Sequence, residues 1–138
     1  MNLSDIPDNV RLFGDAAYRG KCPVETLEQV TFFNRIRREY PDTWGAIAIH
    51  VRNEGKRYRE QIQLHKAEGM TAGSPDIIIP ARVTFLCELK RRDHTKSAFQ
   101  PGQLPYLATA ADSGAFACVA LGCDAAWDAL GVWIDSLE

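Results

Sequence analysis

The sequence of 138 residues has no feature of a membrane or secreted protein. No apolar run approaches the about 20 residues that a membrane-spanning helix needs. Residues 1–10 are acidic and contain no apolar segment of the kind that a signal peptide carries. We therefore expect no membrane partner and a location in the cytoplasm.

The sequence also has no spacing typical of a zinc site. Its four cysteines include no C-x-x-C pair, and its three histidines are far from them along the chain. Cys87 and Cys118 stand inside apolar runs, so we expect them to be small buried hydrophobic residues. The chain contains no repeats, linkers or low-complexity segments, and its length is that of one domain.

Positive charge is concentrated in the middle of an acidic chain. Residues 35–96 hold thirteen Lys or Arg and eight Asp or Glu, whereas the rest of the chain has a net charge of −7. Clumped cations on one part of a chain favour a surface that binds a polyanion. The candidate nucleic-acid contacts are Arg52, Lys56, Arg57, Arg59, Arg91, Arg92 and Lys96. The alternative is that each clump is an ordinary solvated face.

Periodicity and chain breakers predict a mixed α/β domain with one central sheet covered by helices. Residues 1–24 show no clear period and are predicted to be an N-terminal arm, and a single domain is predicted over 25–138. In the first helix, Leu27, Val30, Phe33 and Ile36 are predicted to form the apolar stripe. Helices are predicted at 25–40, 58–68, 101–112 and 124–137, with Asp124 as a cap, and strands at 46–51, 76–80, 83–90 and 115–121.

The segments 73–76 (Gly-Ser-Pro-Asp) and 88–90 (Glu-Leu-Lys) contain the charged residues that are candidates for a catalytic site. Residues two apart on a strand face the same way, so Glu88 and Lys90 project from one face of a strand whose other face is apolar. If the strands at 76–80 and 83–90 form an antiparallel hairpin, Asp76 lies beside Glu88. The alternative is that Asp76 is only a turn residue and that Glu88 and Lys90 form a surface ion pair.

Two adjacent carboxylates repel each other unless a cation binds both. Such oxygen ligands suit Mg²⁺, which takes one or two carboxylates together with water and phosphate oxygens. Lys90 beside that ion would orient a water molecule or stabilise the charge that develops on a phosphate. The expected reaction is the in-line hydrolysis of a phosphodiester.

The segments 67–76 and 85–90 together resemble the VRR-NUC branch of the PD-(D/E)XK nuclease superfamily, which includes stand-alone phage proteins. The pair Glu28-Gln29, the segment 53–57 and the position of Gln103 also match that branch. The resemblance covers residue 25 to about residue 130. It implies a restriction-endonuclease-like αβββαβ core, with a mixed central sheet flanked by helices.

The resemblance also implies roles for individual residues. Asp76, Glu88 and the carbonyl of Leu89 would bind the metal, and Lys90 would be the catalytic lysine. Glu28 would contribute from the first helix through a metal-bound water, with Glu25, one turn earlier, as the alternative. Gln103 would steady the site. The cofactor would be Mg²⁺, with Mn²⁺ as a substitute, and no organic cofactor is implied.

The function that follows is a Mg²⁺-dependent, structure-selective endodeoxyribonuclease acting on branched DNA in a bacterial or phage-infected cell. Stand-alone relatives suggest a homodimer that resolves four-way (Holliday) junctions, since cutting two strands symmetrically needs two sites related by a two-fold axis. One alternative is a nuclease of flaps, ends or single strands. A second is a protein with a nuclease fold that binds nucleic acid without cutting it.

Overall fold

A computed structural model describes residues 1–51 and 59–138 of the chain. Short 3₁₀ turns occupy Leu3–Asp5 and His94–Lys96. The strands are β1 (Arg11–Phe13), β2 (Ile77–Ile79), β3 (Phe85–Lys90) and β4 (Phe116–Leu121). The helices are α1 (Glu25–Glu39), α2 (Trp44–Ile47), α3 (Arg59–Ala67), α4 (Gln103–Asp112) and α5 (Cys123–Ser136).

The strands form one mixed sheet in the order β1-β4-β3-β2. β2 and β3 are an antiparallel hairpin in which Ile77 pairs with Cys87 and Ile79 pairs with Phe85. β4 runs parallel to both β3 and β1. This arrangement confirms the predicted α/β fold class and the predicted hairpin.

Side chains alternate between the two faces of β3, and those on each face belong to a different hydrophobic cluster. Phe85 and Leu89 pack with Phe32 of α1 and Trp133 of α5 on one face. Leu86, on the other face, packs in a cluster with Leu107 of α4 and Val119 of β4. Because every residue of β3 is buried, the polar side chains of Glu88 and Lys90 are held inside the protein and not on its surface.

The thiols lie where the sequence predicted. Cys87 and Cys118 are fully buried and occupy paired positions on β3 and β4. All four cysteines are free.

No helix within residues 1–51 and 59–138 is both long enough and apolar enough to cross a membrane.

The predicted strand at 46–51 is wrong. Trp44–Ile47 form a short helix instead, in which the Ala48 N–H donates to the Trp44 carbonyl at 2.9 Å. The Trp44 ring packs against Trp133 with centroids 4.9 Å apart. This contact favours the helix over the β propensity of the segment. Ile49 alone joins the sheet, through an isolated antiparallel bridge to Ile78.

Residues 1–24, which show no clear period and were predicted to be an N-terminal arm, contain one strand of the sheet. β1 pairs with β4 over Arg11–Phe13, and Val10 is buried in the cluster beneath α4. Three residues are too short for a strand period to be visible in the sequence, and the partner strand lies about a hundred residues away along the chain.

The predicted stripe on α1 is wrong in its first half. Leu27 and Val30 are exposed, whereas Phe33 and Ile36 are buried as expected. Residues three apart are 300° apart on a helix with 3.6 residues per turn, so the predicted stripe drifts around the helix. The buried face is formed by Glu28, Phe32, Phe33 and Ile36.

Candidate active site

The hairpin places Asp76, which immediately precedes β2, beside Glu88 near the end of β3. Asp76 Oδ2 accepts a hydrogen bond from the backbone N–H of Leu89 at 2.8 Å. Glu88 is only 2% exposed. The N–H and C=O of one residue in a strand point to the same edge, so the Leu89 carbonyl faces the Asp76 side as well. Three oxygen donors therefore converge at this end of the hairpin.

Burial disfavours the charged forms of both carboxyl groups, and the charge of Asp76 adds to this effect at Glu88. Burial raises the pKa of Asp76 above its ordinary value, and the hydrogen bond from the Leu89 N–H opposes that shift. Burial also raises the pKa of Glu88 well above its ordinary value, with a further increase from the neighbouring Asp76 charge. Lys90 only partly offsets these effects on the pKa of Glu88. In the absence of a cation, the pair is therefore inclined to retain a proton.

One oxygen of this pair is not satisfied by the protein. Glu88 Oε2 is buried and has no hydrogen-bond partner, which costs free energy unless a proton or a cation is bound nearby. Within the described residues no group of three or more His, Cys, Asp or Glu is arranged to hold a metal ion. Two carboxylates with a backbone carbonyl and water nevertheless satisfy Mg²⁺, so the donor set fits that ion.

Lys90 lies on the same face of β3 as Glu88 and is also buried. Its Nζ donates to the Ala98 carbonyl at 2.7 Å and to Gln103 Oε1 at 3.0 Å. The Nζ is 3.6 Å from Glu88 Oε1. The two neutral acceptors and the nearby Glu88 carboxyl group therefore fix the position of this buried ammonium group.

Gln103, the first residue of α4, joins the two charged groups. Its Nε2 donates to Glu88 Oε1 at 3.0 Å, while its Oε1 accepts from Lys90 Nζ and from the Gln100 N–H. One amide therefore orients both the Glu88 carboxyl group and the Lys90 ammonium group. The supporting role that the family resemblance implies for Gln103 stays a prediction.

A contact between two glycines fixes where α4 begins relative to Asp76. Gly73 and Gly102 both have positive φ, of 84° and 91°. A Cβ on Gly73 would overlap the backbone of Gly102 and Gln103. Only glycine allows this approach. The contact holds the loop before Asp76 against the start of α4, where Gln103 lies.

The first-helix acid that faces this site is Glu25. Glu25 lines the cavity, accepts a hydrogen bond from Ser97 Oγ at 2.8 Å and contributes to the raised pKa of Glu88. Glu28 instead lies at the start of α5, where its carboxylate accepts a short hydrogen bond from the Cys123 N–H. The expectation that Glu28 joins the metal site therefore needs correction, because packing against α5 turns it away. Glu28 also takes the capping role that was predicted for Asp124.

These groups line an open cavity of about 740 Å³. Its lining includes the predicted Asp76, Glu88, Lys90 and Gln103 and several residues that the sequence did not single out. Of these, His50 Nδ1 lies 2.8 Å from the Asp76 carbonyl oxygen, and Gln29 reaches the cavity from α1. Gln29 was part of the pair Glu28-Gln29 that matches the family pattern, so the sequence did offer an indication for it. No sequence signal identified His50, which lies within the segment 46–51 that was wrongly predicted as a strand.

Three of the predicted nucleic-acid contacts instead bind the segment before α1. The Arg91 guanidinium donates to the carbonyls of Cys22 and Pro23 at 2.7 and 3.1 Å. Lys96 Nζ donates to the Gly20 carbonyl at 2.8 Å, and the Arg92 guanidinium lies 4.0 Å from the centroid of the Tyr18 ring. These cations are thus partly or wholly structural, although Arg91 and Lys96 also line the cavity.

The other four predicted nucleic-acid contacts are Arg52, Lys56, Arg57 and Arg59. Arg59 is the first residue of α3. Arg52, Lys56 and Arg57 lie outside the described residues.

Comparison with solved structures supports the fold. One of the similar structures is described as a "VRR_NUC domain protein", with a TM-score of 0.68 and 22% sequence identity, and the match covers 83% of this chain and 91% of that one. The predicted resemblance is thereby confirmed at the level of the fold. No family model and no curated protein matches the sequence.

Proposed function

We propose that the protein is a metal-dependent nuclease that hydrolyses phosphodiester bonds in DNA. The observation that carries this proposal is the buried pair Asp76 and Glu88, one of whose oxygens has no partner, directly beside the buried ammonium group of Lys90. A structural ion pair would not require two repelling carboxyl groups at the edge of an open cavity. The fold shared with a VRR_NUC domain protein supports the same activity.

Asp76, Glu88 and the Leu89 carbonyl are the groups that would hold Mg²⁺. When bound, such an ion supplies charge stabilisation at the phosphate and lowers the pKa of water. Mn²⁺ also accepts oxygen ligands of this kind.

The other side chains position these groups and bind the substrate. Lys90 presents a fixed positive charge to a phosphate oxygen, and Gln103 keeps Lys90 and Glu88 in register. Glu25, oriented by Ser97, adds a third carboxylate that can accept a proton or a hydrogen bond from water in the cavity. Because these groups are held by the fold before substrate arrives, they need little reorganisation during the reaction.

For the substrate, we propose branched DNA, in particular a four-way junction cut by a homodimer. A single chain carries one site, so paired incisions on two strands need two copies related by symmetry. A nuclease of flaps, ends or single strands remains the alternative.

The substrate preference is tested with a junction, a flap and a linear duplex of equal concentration. We expect cleavage of the four-way junction in Mg²⁺, about tenfold or more faster than that of linear duplex, and none in EDTA, because the carboxyl pair needs a cation. Product mapping on labelled strands measures both cuts. Equal rates on all three DNAs would remove the junction preference, and binding without cleavage in every divalent metal would favour the non-catalytic alternative.

Glu25 and Glu28 offer a matched pair of acids, one turn apart on the same helix. We expect Glu25→Gln to lower the cleavage rate about tenfold or more, as the loss of a group that supports a metal site does, with little change in melting temperature. Glu28→Gln removes the charged cap of α5, so it should destabilise the protein by about 1 kcal/mol and leave the rate of the folded protein nearly unchanged. Rates and thermal melts of both variants measure this, and the reverse pattern would restore Glu28 to the catalytic site.

A further inference from the structure

A second groove adjoins the catalytic cavity. Its volume is about 460 Å³, within the usual range of small-molecule sites. Gln29 and His50 line both the groove and the cavity. A nucleotide next to the phosphate in the catalytic cavity would therefore have a direct route into the groove.

The floor of the groove is apolar and accessible. Val30 of α1 is 50% exposed and Ile49 is 49% exposed, with Phe33 and Ala48 beneath them. Exposed aliphatic side chains are common singly, but here two large ones line one concave surface beside a reaction centre. The drift of apolar residues around α1 places Val30 on this surface and not in the core.

The rim of the groove is polar. Asn34 and Gln29 contribute amides that can both donate and accept hydrogen bonds, and Arg37 contributes a positive charge. The Arg37 guanidinium lies 5.3 Å from the centroid of the Phe33 ring. Among the residues that the structure describes, none of those that line the groove carries a carboxylate, in contrast to the catalytic cavity.

We propose that this groove binds one unpaired nucleobase of the DNA, adjacent to the phosphate that is cut. The inference rests on the proposed nuclease function and adds a basis for substrate choice. A nucleobase has apolar faces and polar edges, which match an aliphatic floor and an amide rim. In a duplex its faces are stacked and its pairing edge is occupied, so the groove selects DNA that offers an unpaired nucleotide at this position.

The test measures DNA binding by the Asp76→Asn protein in EDTA, with and without the further changes Val30→Ser and Ile49→Thr. The DNA is a duplex with one unpaired 2-aminopurine nucleotide, and the same DNA with an abasic residue at that position is the comparison. For the protein with an intact groove, removing the base should raise the Kd for DNA about tenfold, which is the usual effect of losing one bound base. For the groove variant, the same change should raise Kd by less than about twofold. The fluorescence of 2-aminopurine should change on binding only to the intact groove.

The matched control carries Leu12→Thr and Val132→Ser, which change two exposed aliphatic residues that do not line the groove. It should behave like the protein with the intact groove. The proposal is overturned if removing the base has the same effect on Kd for the protein with the intact groove and for the groove variant. It is also overturned if light scattering shows that the groove variant changes from dimer to monomer, because the groove would then be an interface between copies of the chain. Cleavage of the same DNA by the unaltered protein in Mg²⁺ tests the nuclease function separately.

Discussion

Glu88→Gln is expected to abolish metal-dependent cleavage and, without metal, to make the protein more stable at neutral pH. The variant keeps the shape of the side chain but removes a ligand charge, so cleavage should fall about 10³-fold or more. Its amide oxygen can still accept the hydrogen bond from Gln103 Nε2, and its NH2 group replaces the buried Oε2 that has no hydrogen-bond partner. Because folding holds the Glu88 carboxylate where its charge is disfavoured, the neutral amide should gain about 1 kcal/mol or more.

The dependence of stability on pH gives the same prediction a second readout. Burial and the Asp76 charge raise the pKa of Glu88 in the folded protein, so the folded state holds its proton to higher pH than the unfolded state does. The stability that this proton provides is complete below the ordinary pKa of about 4.5 and is lost as pH rises from there to the raised folded value. Melting temperatures in EDTA should therefore fall across that window in the unaltered protein, and less steeply in Glu88→Gln.

The exposed Glu68→Gln variant is the control, since it removes a carboxylate from a solvated position. It should change neither cleavage nor the pH profile. A Glu88→Gln protein that melts at a lower temperature than the unaltered protein in EDTA at pH 7 would contradict this assignment. It would show that the fold does not disfavour the charged form of Glu88 in the absence of metal.

Lys90→Met is expected to slow cleavage by about 10²- to 10³-fold while leaving the affinity for Mg²⁺ within a few-fold. The methionine keeps most of the buried length of the side chain. It loses the hydrogen bonds to the Ala98 carbonyl and Gln103 Oε1, and with them the positive charge that we propose acts on the phosphate and not on the metal. Cleavage rates measured over a range of Mg²⁺ concentrations separate the maximal rate from the half-saturating concentration.

The control for this variant is Lys66→Met, on the exposed part of α3. Its rate should match that of the unaltered protein. If Lys90→Met shifted the half-saturating Mg²⁺ concentration and left the maximal rate intact, Lys90 would act in forming the metal site and not on the phosphate.

The part of the site that the sequence predicted depends on short-range geometry. A strand alternates its faces, and a hairpin with a short turn has few registers, so the proximity of Asp76, Glu88 and Lys90 follows from the fifteen residues 76–90. Gln103 was found only through the family resemblance. Its bonds to Glu88 and Lys90 depend on the approach of Gly73 to Gly102, which no periodicity reveals.

The parts that the sequence missed depend on contacts between distant segments. Glu25 and Glu28 differ by less than one helical turn, and only the packing of α1 against α5 decides which of them faces the cavity. Arg91 resembles a surface cation until its carbonyl partners, 68 and 69 residues earlier, are known. The segment 46–51 has strand propensity, but the contact of Trp44 with Trp133 favours a helical turn there.

The pairing of β1 with β4 has a consequence for shortened versions of the chain. β4 is a six-residue strand, Phe-Ala-Cys-Val-Ala-Leu, that is buried along its whole length. A protein that begins at residue 25 would lose the neighbour that covers its outer hydrogen-bonding edge. An uncapped apolar edge of this kind is a template for self-association, so we expect a chain trimmed to residue 25 to associate with itself through β4.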